Sequence, residues 1–137
     1  MPNVIDMQKI RYLNLFEKIS GVRAKFCFVY NRNLIFCVPR RSIKRAIGRK
    51  GINLKKIGGI LKRRVRIIAE PSKSRGIESF LRSIVSPIDI KKNRVDEEKV
   101  IIEGGHNKAA LIGRNKGKMI ELQKIIKDFF GKKLRIV

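Results

Sequence analysis

Several things are scarce in this chain, and each scarcity excludes something. Its 137 residues include two cysteines, one histidine and no tryptophan. Cys27 and Cys37 cannot found a disulfide framework, and such usage fits a reducing, intracellular setting. Together with His106 they fall short of a four-ligand Cys/His zinc site. A lone histidine with no nucleophile motif near it cannot complete a Ser-His-Asp constellation. The phosphate-binding pattern G-x-x-x-x-G-K-[ST] is also missing: Gly113 to Gly117 followed by Lys118 has the wrong spacing and no Ser or Thr after it. The expectation is a protein that is not an enzyme, with no cofactor and no metal. No apolar run approaches the roughly 18 residues that a membrane helix needs. The first residues carry Asp6 and no apolar segment of the kind a secretory leader has. A cytoplasmic chain without a membrane partner is therefore expected. The last scarcity is local: no Asp or Glu lies between Glu17 and Glu70, where 16 Lys and Arg stand.

The formal net charge is +23, so a polyanion is the expected partner. The charge is uneven. Residues 1–70 hold 18 basic and three acidic side chains, and residues 71–137 hold 16 and eight. A helix face that merely meets water tends to alternate signs, because opposite charges at i,i+4 attract. A stretch free of acids suggests a surface shaped for an anion. The apolar fraction of 43% is too high for a basic disordered tail and leaves room for a core.

An internal repeat organises the chain. Shifted by 65 residues without a gap, Leu34–Arg49 matches Lys99–Arg114, each reading as strand, turn, short helix and then Ile-Gly-Arg. Downstream, Leu54, Ile57, Ile60 and Leu61 align with Met119, Leu122, Ile125 and Ile126, a spacing that predicts one buried helix face in each copy. Closing strands follow at Val65–Ile68 and Leu134–Val137. Ahead of the repeat, Ile10, Leu13, Phe16 and Ile19 predict a helix over 5–19 that ends at Ser20-Gly21. Ile77, Phe80, Leu81, Ile84 and Val85 predict another over 76–85, stopped by Ser86-Pro87. Strands are expected at 24–30 and about 88–95, with hairpin turns at Asn31-Arg32-Asn33 and Asp96-Glu97-Glu98. Two domains result, 1–70 and 76–137, joined by the polar linker 71–75, which is short enough to favour a fixed relation between them.

Ile47-Gly48-Arg49-Lys50-Gly51 falls between two predicted helices. Glycines at both ends permit a tight turn and close approach of a ligand. The helix opening at Gly51 offers N–H groups without intrahelical partners, and these attract phosphate. In the second copy the helix register puts Lys116 where the second glycine belongs, so the loop is Gly113-Arg114-Asn115-Lys116. A weaker or altered second site is the expectation.

The order helix-strand-strand-helix-G-x-x-G-helix-strand resembles a type II KH domain, with Ile-Gly-Arg-Lys-Gly as its signature loop. Two such domains on a short linker resemble the NusA family of transcription elongation and termination factors, in a reduced form similar to its archaeal-type members. Phe16-Glu-Lys-Ile-Ser-Gly-Val-Arg-Ala-Lys25 also resembles the opening of the first KH domain in that group. The resemblance implies an α+β fold of two tandem KH domains, each a three-stranded sheet with three helices on one face. It implies a monomer that binds single-stranded RNA, about four nucleotides per module, with RNA polymerase as a further partner. Carried over, Gly48, Arg49, Lys50 and Gly51 would hold the sugar-phosphate backbone, and Ile47 would floor the bases. Arg40, Arg41, Lys44, Lys55 and Lys56 would screen neighbouring phosphates. Ile112, Gly113, Arg114, Asn115 and Lys116 would be the second set.

Other readings stay open at this stage. A ribosome-associated KH protein would prefer structured rRNA. A basic docking protein would meet an acidic protein partner, such as RNA polymerase. His106 reads as a surface or capping residue, and Cys27 and Cys37 as buried thiols on paired strands. Phe26, Phe28, Tyr30, Phe36, Phe129 and Phe130 read as core, and Asp96, Glu97 and Glu98 as a solvated hairpin tip.

Overall fold

The computed structural model describes residues 7–72 and 76–137. Most of the predicted linker, 73–75, and the start of the first predicted helix, 5–6, lie outside the described residues. The chain is an α+β protein that divides between Glu70 and Pro71 into two compact units.

The first unit runs α1 (Met7–Ser20), β1 (Phe26–Tyr30), β2 (Asn33–Val38), α2 (Ile43–Ile47), α3 (Ile52–Leu61) and β3 (Arg64–Ala69). α1 stops where the Gly21 N–H bonds the Glu17 carbonyl at 2.9 Å, with Gly21 at φ 71°. The hairpin turn is tighter than expected. Tyr30 pairs with Asn33, and only Asn31 and Arg32 make the turn, at φ 51° and 65°. Two consecutive positive φ values give the turn whose twist matches the strands. β2 is central, antiparallel to β1 and parallel to β3, with α2 and α3 forming the crossover.

One face of this sheet offers Cys27, Leu34, Phe36 and Val38 to Phe16 of α1, Ala46 of α2 and Ile57 of α3. The Phe16 and Phe36 rings stack at 4.4 Å between centroids. Ile57 is fully buried, whereas Ile60 is 55% exposed, so the expected four-residue stripe on α3 is not all core. At 100° per residue, Leu54, Ile57 and Leu61 share a face and Ile60 turns off it. The other sheet face carries Phe28, Tyr30, Ile35, Cys37 and Ile68, all buried. Cys27 and Cys37 thus point to opposite faces, one residue out of register. Burial, above all, pushes the Cys37 thiol far above its ordinary pKa and keeps it protonated.

The second unit runs α4 (Gly76–Val85), β4 (Lys92–Val95), β5 (Lys99–Glu103), α5 (Lys108–Ile112), α6 (Gly117–Phe130) and β6 (Lys133–Ile136), with the same sheet order and the same mix of antiparallel and parallel pairs. β4 is shorter than the predicted 88–95, because its pairing begins only at Lys92 opposite Glu103. Its turn is held by the Asp96 carboxylate, which accepts the N–H groups of Lys99 at 2.8 Å and Glu98 at 2.9 Å. Those two bonds hold the Asp96 carboxyl below its usual pKa. Phe129 and Phe130 are half-buried and meet Phe80 of α4 at 5.1 and 5.9 Å.

The gapless repeat requires one correction. The helices and loops do correspond at a shift of 65, but the hairpin strands correspond at 66. The Lys25 N–H bonds the Cys37 carbonyl, and in the second unit the Lys91 N–H bonds the Glu103 carbonyl. Leu34 therefore matches the buried Val100, not the exposed Lys99. A slip of one residue turns every strand side chain to the other face, so burial decides between the two alignments.

Candidate nucleic-acid interface

The loop between α2 and α3 is made by three residues with positive φ. Gly48 ends α2 at φ 80°, ψ 169°, and its N–H bonds the Lys44 carbonyl at 3.0 Å. That conformation belongs to glycine alone. A Cβ on Gly48 would stand 2.8 Å from Asn53 Nδ2 and 2.9 Å from Ile52 Cγ2. Lys50 (φ 57°, ψ 26°) and Gly51 (φ 73°, ψ 22°) are left-handed, and the Gly51 N–H bonds the Gly48 carbonyl at 3.1 Å. Asn53 Nδ2 donates to the Arg45 carbonyl at 3.3 Å and so ties the first turn of α3 to the end of α2.

The second loop repeats this path. Gly113 has φ 76°, ψ 173°, Asn115 φ 55°, ψ 29° and Lys116 φ 62°, ψ 19°. The Lys116 N–H bonds the Gly113 carbonyl at 3.2 Å. Lys116 therefore occupies the place of Gly51, in the register that the helix face of α6 indicates. A Cβ at Gly51 would meet nothing within 4 Å, so a side chain here is opposed by the left-handed backbone and not by crowding. Gly113 cannot be replaced so easily: its Cβ would fall 2.8 Å from Lys118 Cγ and 3.1 Å from the Lys118 backbone nitrogen.

Arg49 and Lys50 are exposed at the tip of the first loop. With Ile52 and Lys55 they line an open cleft of about 440 Å³. Ile52 is 60% exposed, a large apolar side chain ringed by cations. It was not among the expected site residues. Its signal in the sequence was its position directly after Gly51 and off the Leu54–Ile57–Leu61 face. Ile47 is half-buried on the α2 side of the loop, and Lys44 is exposed one turn before Gly48. Arg40 and Arg41 are exposed on the single turn ahead of α2, at the far end of a helix about 7.5 Å long. Lys56 is exposed but does not line the cleft. None of these cations is in an ion pair among the described residues; Arg82–Glu78 and Lys91–Glu103 are ion pairs of the second unit. In the second loop Arg114, Asn115 and Lys116 are exposed and Ile112 is half-buried. Position 117, which matches Ile52, is glycine, and the exposed isoleucine of α6 is Ile120, at the position that matches Lys55.

No helix among the described residues is long and apolar enough to cross a membrane. Neither a family model nor a curated protein matches the chain. Among solved structures, the crystal structure of APE1850 is similar at 25% identity and a TM-score of 0.71, covering 96% of this chain and 99% of that one. The likeness therefore runs through both units, and the two proteins share an α+β architecture.

Proposed function

We propose that the chain binds single-stranded RNA through two tandem type II KH units and acts on transcription elongation or termination in the manner of the NusA family. The supporting observation is the loop built twice on one backbone path, with a glycine-only residue at its start and unpaired cations at its tip. Phosphates would lie against the turn from Gly48 to Gly51, held by Arg49 and Lys50. Bases would lie on Ile52, with Ile47 behind it. Gly113, Arg114, Asn115 and Lys116 would grip a second stretch, with Gly117 in the place of Ile52 and the exposed Ile120 one turn further along α6. Each KH module takes about four nucleotides. Phosphate contacts would carry most of the affinity and make it fall with salt.

The test is a binding isotherm on short single-stranded RNA across a salt series. Arg49→Asp/Lys50→Asp is compared with Lys124→Asp/Lys127→Asp, which changes charge equally at two exposed positions on α6. Losing two contacts from a single strand lowers the salt slope by about 1.4, at roughly 0.7 per phosphate. That loss is expected for the loop variant only. Equal losses in both variants would refute a loop-centred site.

A further inference from the structure

The two sheets show opposite chemistry on the face turned away from Leu34 and Phe36 in one unit and from Val100 and Ile102 in the other. In the first unit β1 and β2 make that face largely apolar and buried, and its cations are confined to Arg64 and Arg66 on β3. In the second, the corresponding positions carry Lys92 for Phe26, Arg94 for Phe28 and Glu103 for Cys37. Lys99 and Lys133 are register partners on β5 and β6, and Arg94 and Arg135 flank Ile101 from either side. Lys92, Arg94, Lys99, Lys133 and Arg135 are all exposed, and none is in an ion pair among the described residues. The single acid within the face, Glu103, is occupied by Lys91 at 3.5 Å. Asp96 borders it, but its carboxylate is engaged by backbone N–H groups of its own turn. Clefts that include Ile101 are lined by Lys92 and Arg94 with Glu103, and by Arg94 and Lys99 with Asp96.

Like charges on neighbouring strands repel. A face that keeps Lys99 beside Lys133 is disfavoured unless an anion covers it. Three strands about 4.8 Å apart span roughly 10 Å, so the cations are spread over a patch about that wide. No aromatic side chain stands on it, which removes the stacking platform that single strands use. We propose that this open β4–β5–β6 face is a second nucleic-acid surface, which contacts the phosphate backbone of a double-stranded segment without reading its sequence. It stands on the charge and register of this sheet and does not depend on the loop reading.

The experiment measures binding of a short blunt-ended RNA duplex across a salt series. Arg94→Gln/Arg135→Gln is compared with Lys124→Gln/Lys127→Gln and with Arg49→Asp/Lys50→Asp. All four altered sites other than the loop are solvent-exposed, and unchanged thermal midpoints verify folding. The face variant is expected to lower the duplex salt slope by about 1.8, at roughly 0.9 per phosphate, while the control and loop variants keep it. Failure of the loop reading would show on single strands, and failure of this one on duplex. No duplex binding by the parent chain, or equal losses in face and control variants, would overturn the proposal. So would an unchanged slope in the face variant, which would leave the patch to an acidic protein.

Discussion

Gly48→Ala tests whether the loop backbone is set by the conformation that only glycine allows. At φ 80°, ψ 169° a Cβ is strained before any neighbour is considered, by about 1–3 kcal/mol. The same Cβ would lie 2.8 Å from Asn53 Nδ2 and 2.9 Å from Ile52 Cγ2. Relief requires the Asn53 side chain to move, which breaks its bond to the Arg45 carbonyl and gives up about 1 kcal/mol. Together these come to about 2–4 kcal/mol. A unit of this size has only about 3–10 kcal/mol in all. Gly51→Ala is the internal comparison. It is left-handed too, but its Cβ meets nothing within 4 Å, so only the backbone term of about 1–2 kcal/mol applies. Urea unfolding of the full chain, followed by circular dichroism, should give a midpoint far lower for Gly48→Ala than for Gly51→Ala. Equal midpoints, or the reverse order, would refute the reasoning.

Lys116→Gly should stabilise the second unit by up to about 1 kcal/mol, read as a higher urea midpoint, since the left-handed strain of about 1–2 kcal/mol exceeds the flexibility glycine adds to the unfolded chain. Phe36→Ala removes a fully buried ring stacked on Phe16 and should destabilise the first unit by about 3–5 kcal/mol, read as early loss of its amide signals in urea. Asp96 has a lowered pKa in the fold, so its contribution is present above the unfolded value near 3.9 and is lost as pH falls through the lower folded value. The Lys99 and Glu98 amide resonances should therefore titrate below that pH, and Asp96→Asn should abolish the titration.

The elements were legible where one face is core. The 3.6-residue period of Ile77, Phe80, Leu81, Ile84 and Val85 marks α4, and all five are buried. The strands were less so. β2 buries both faces, and an apolar run without alternation carries no phase. The gapless repeat therefore matched Leu34 to Lys99 and hid the register that sets Phe26 and Phe28 against Lys92 and Arg94. That contrast needed the strand pairing. In the loop, glycine spacing and helix register pointed to Gly48 and to the odd residue Lys116. Ile52 was missed because an isoleucine opening a helix reads as core until its exposure is known, whereas Ile60 was taken for core by spacing alone.

The most direct measurement of the central claim is an amide chemical-shift titration of the full chain with a short single-stranded RNA at physiological salt. The account predicts the largest shifts at Gly48 to Ile52, with a second, smaller set at Gly113 to Gly117. Shifts scattered over exposed lysines of α1 and α6, with the two loops no larger than the rest, would contradict it.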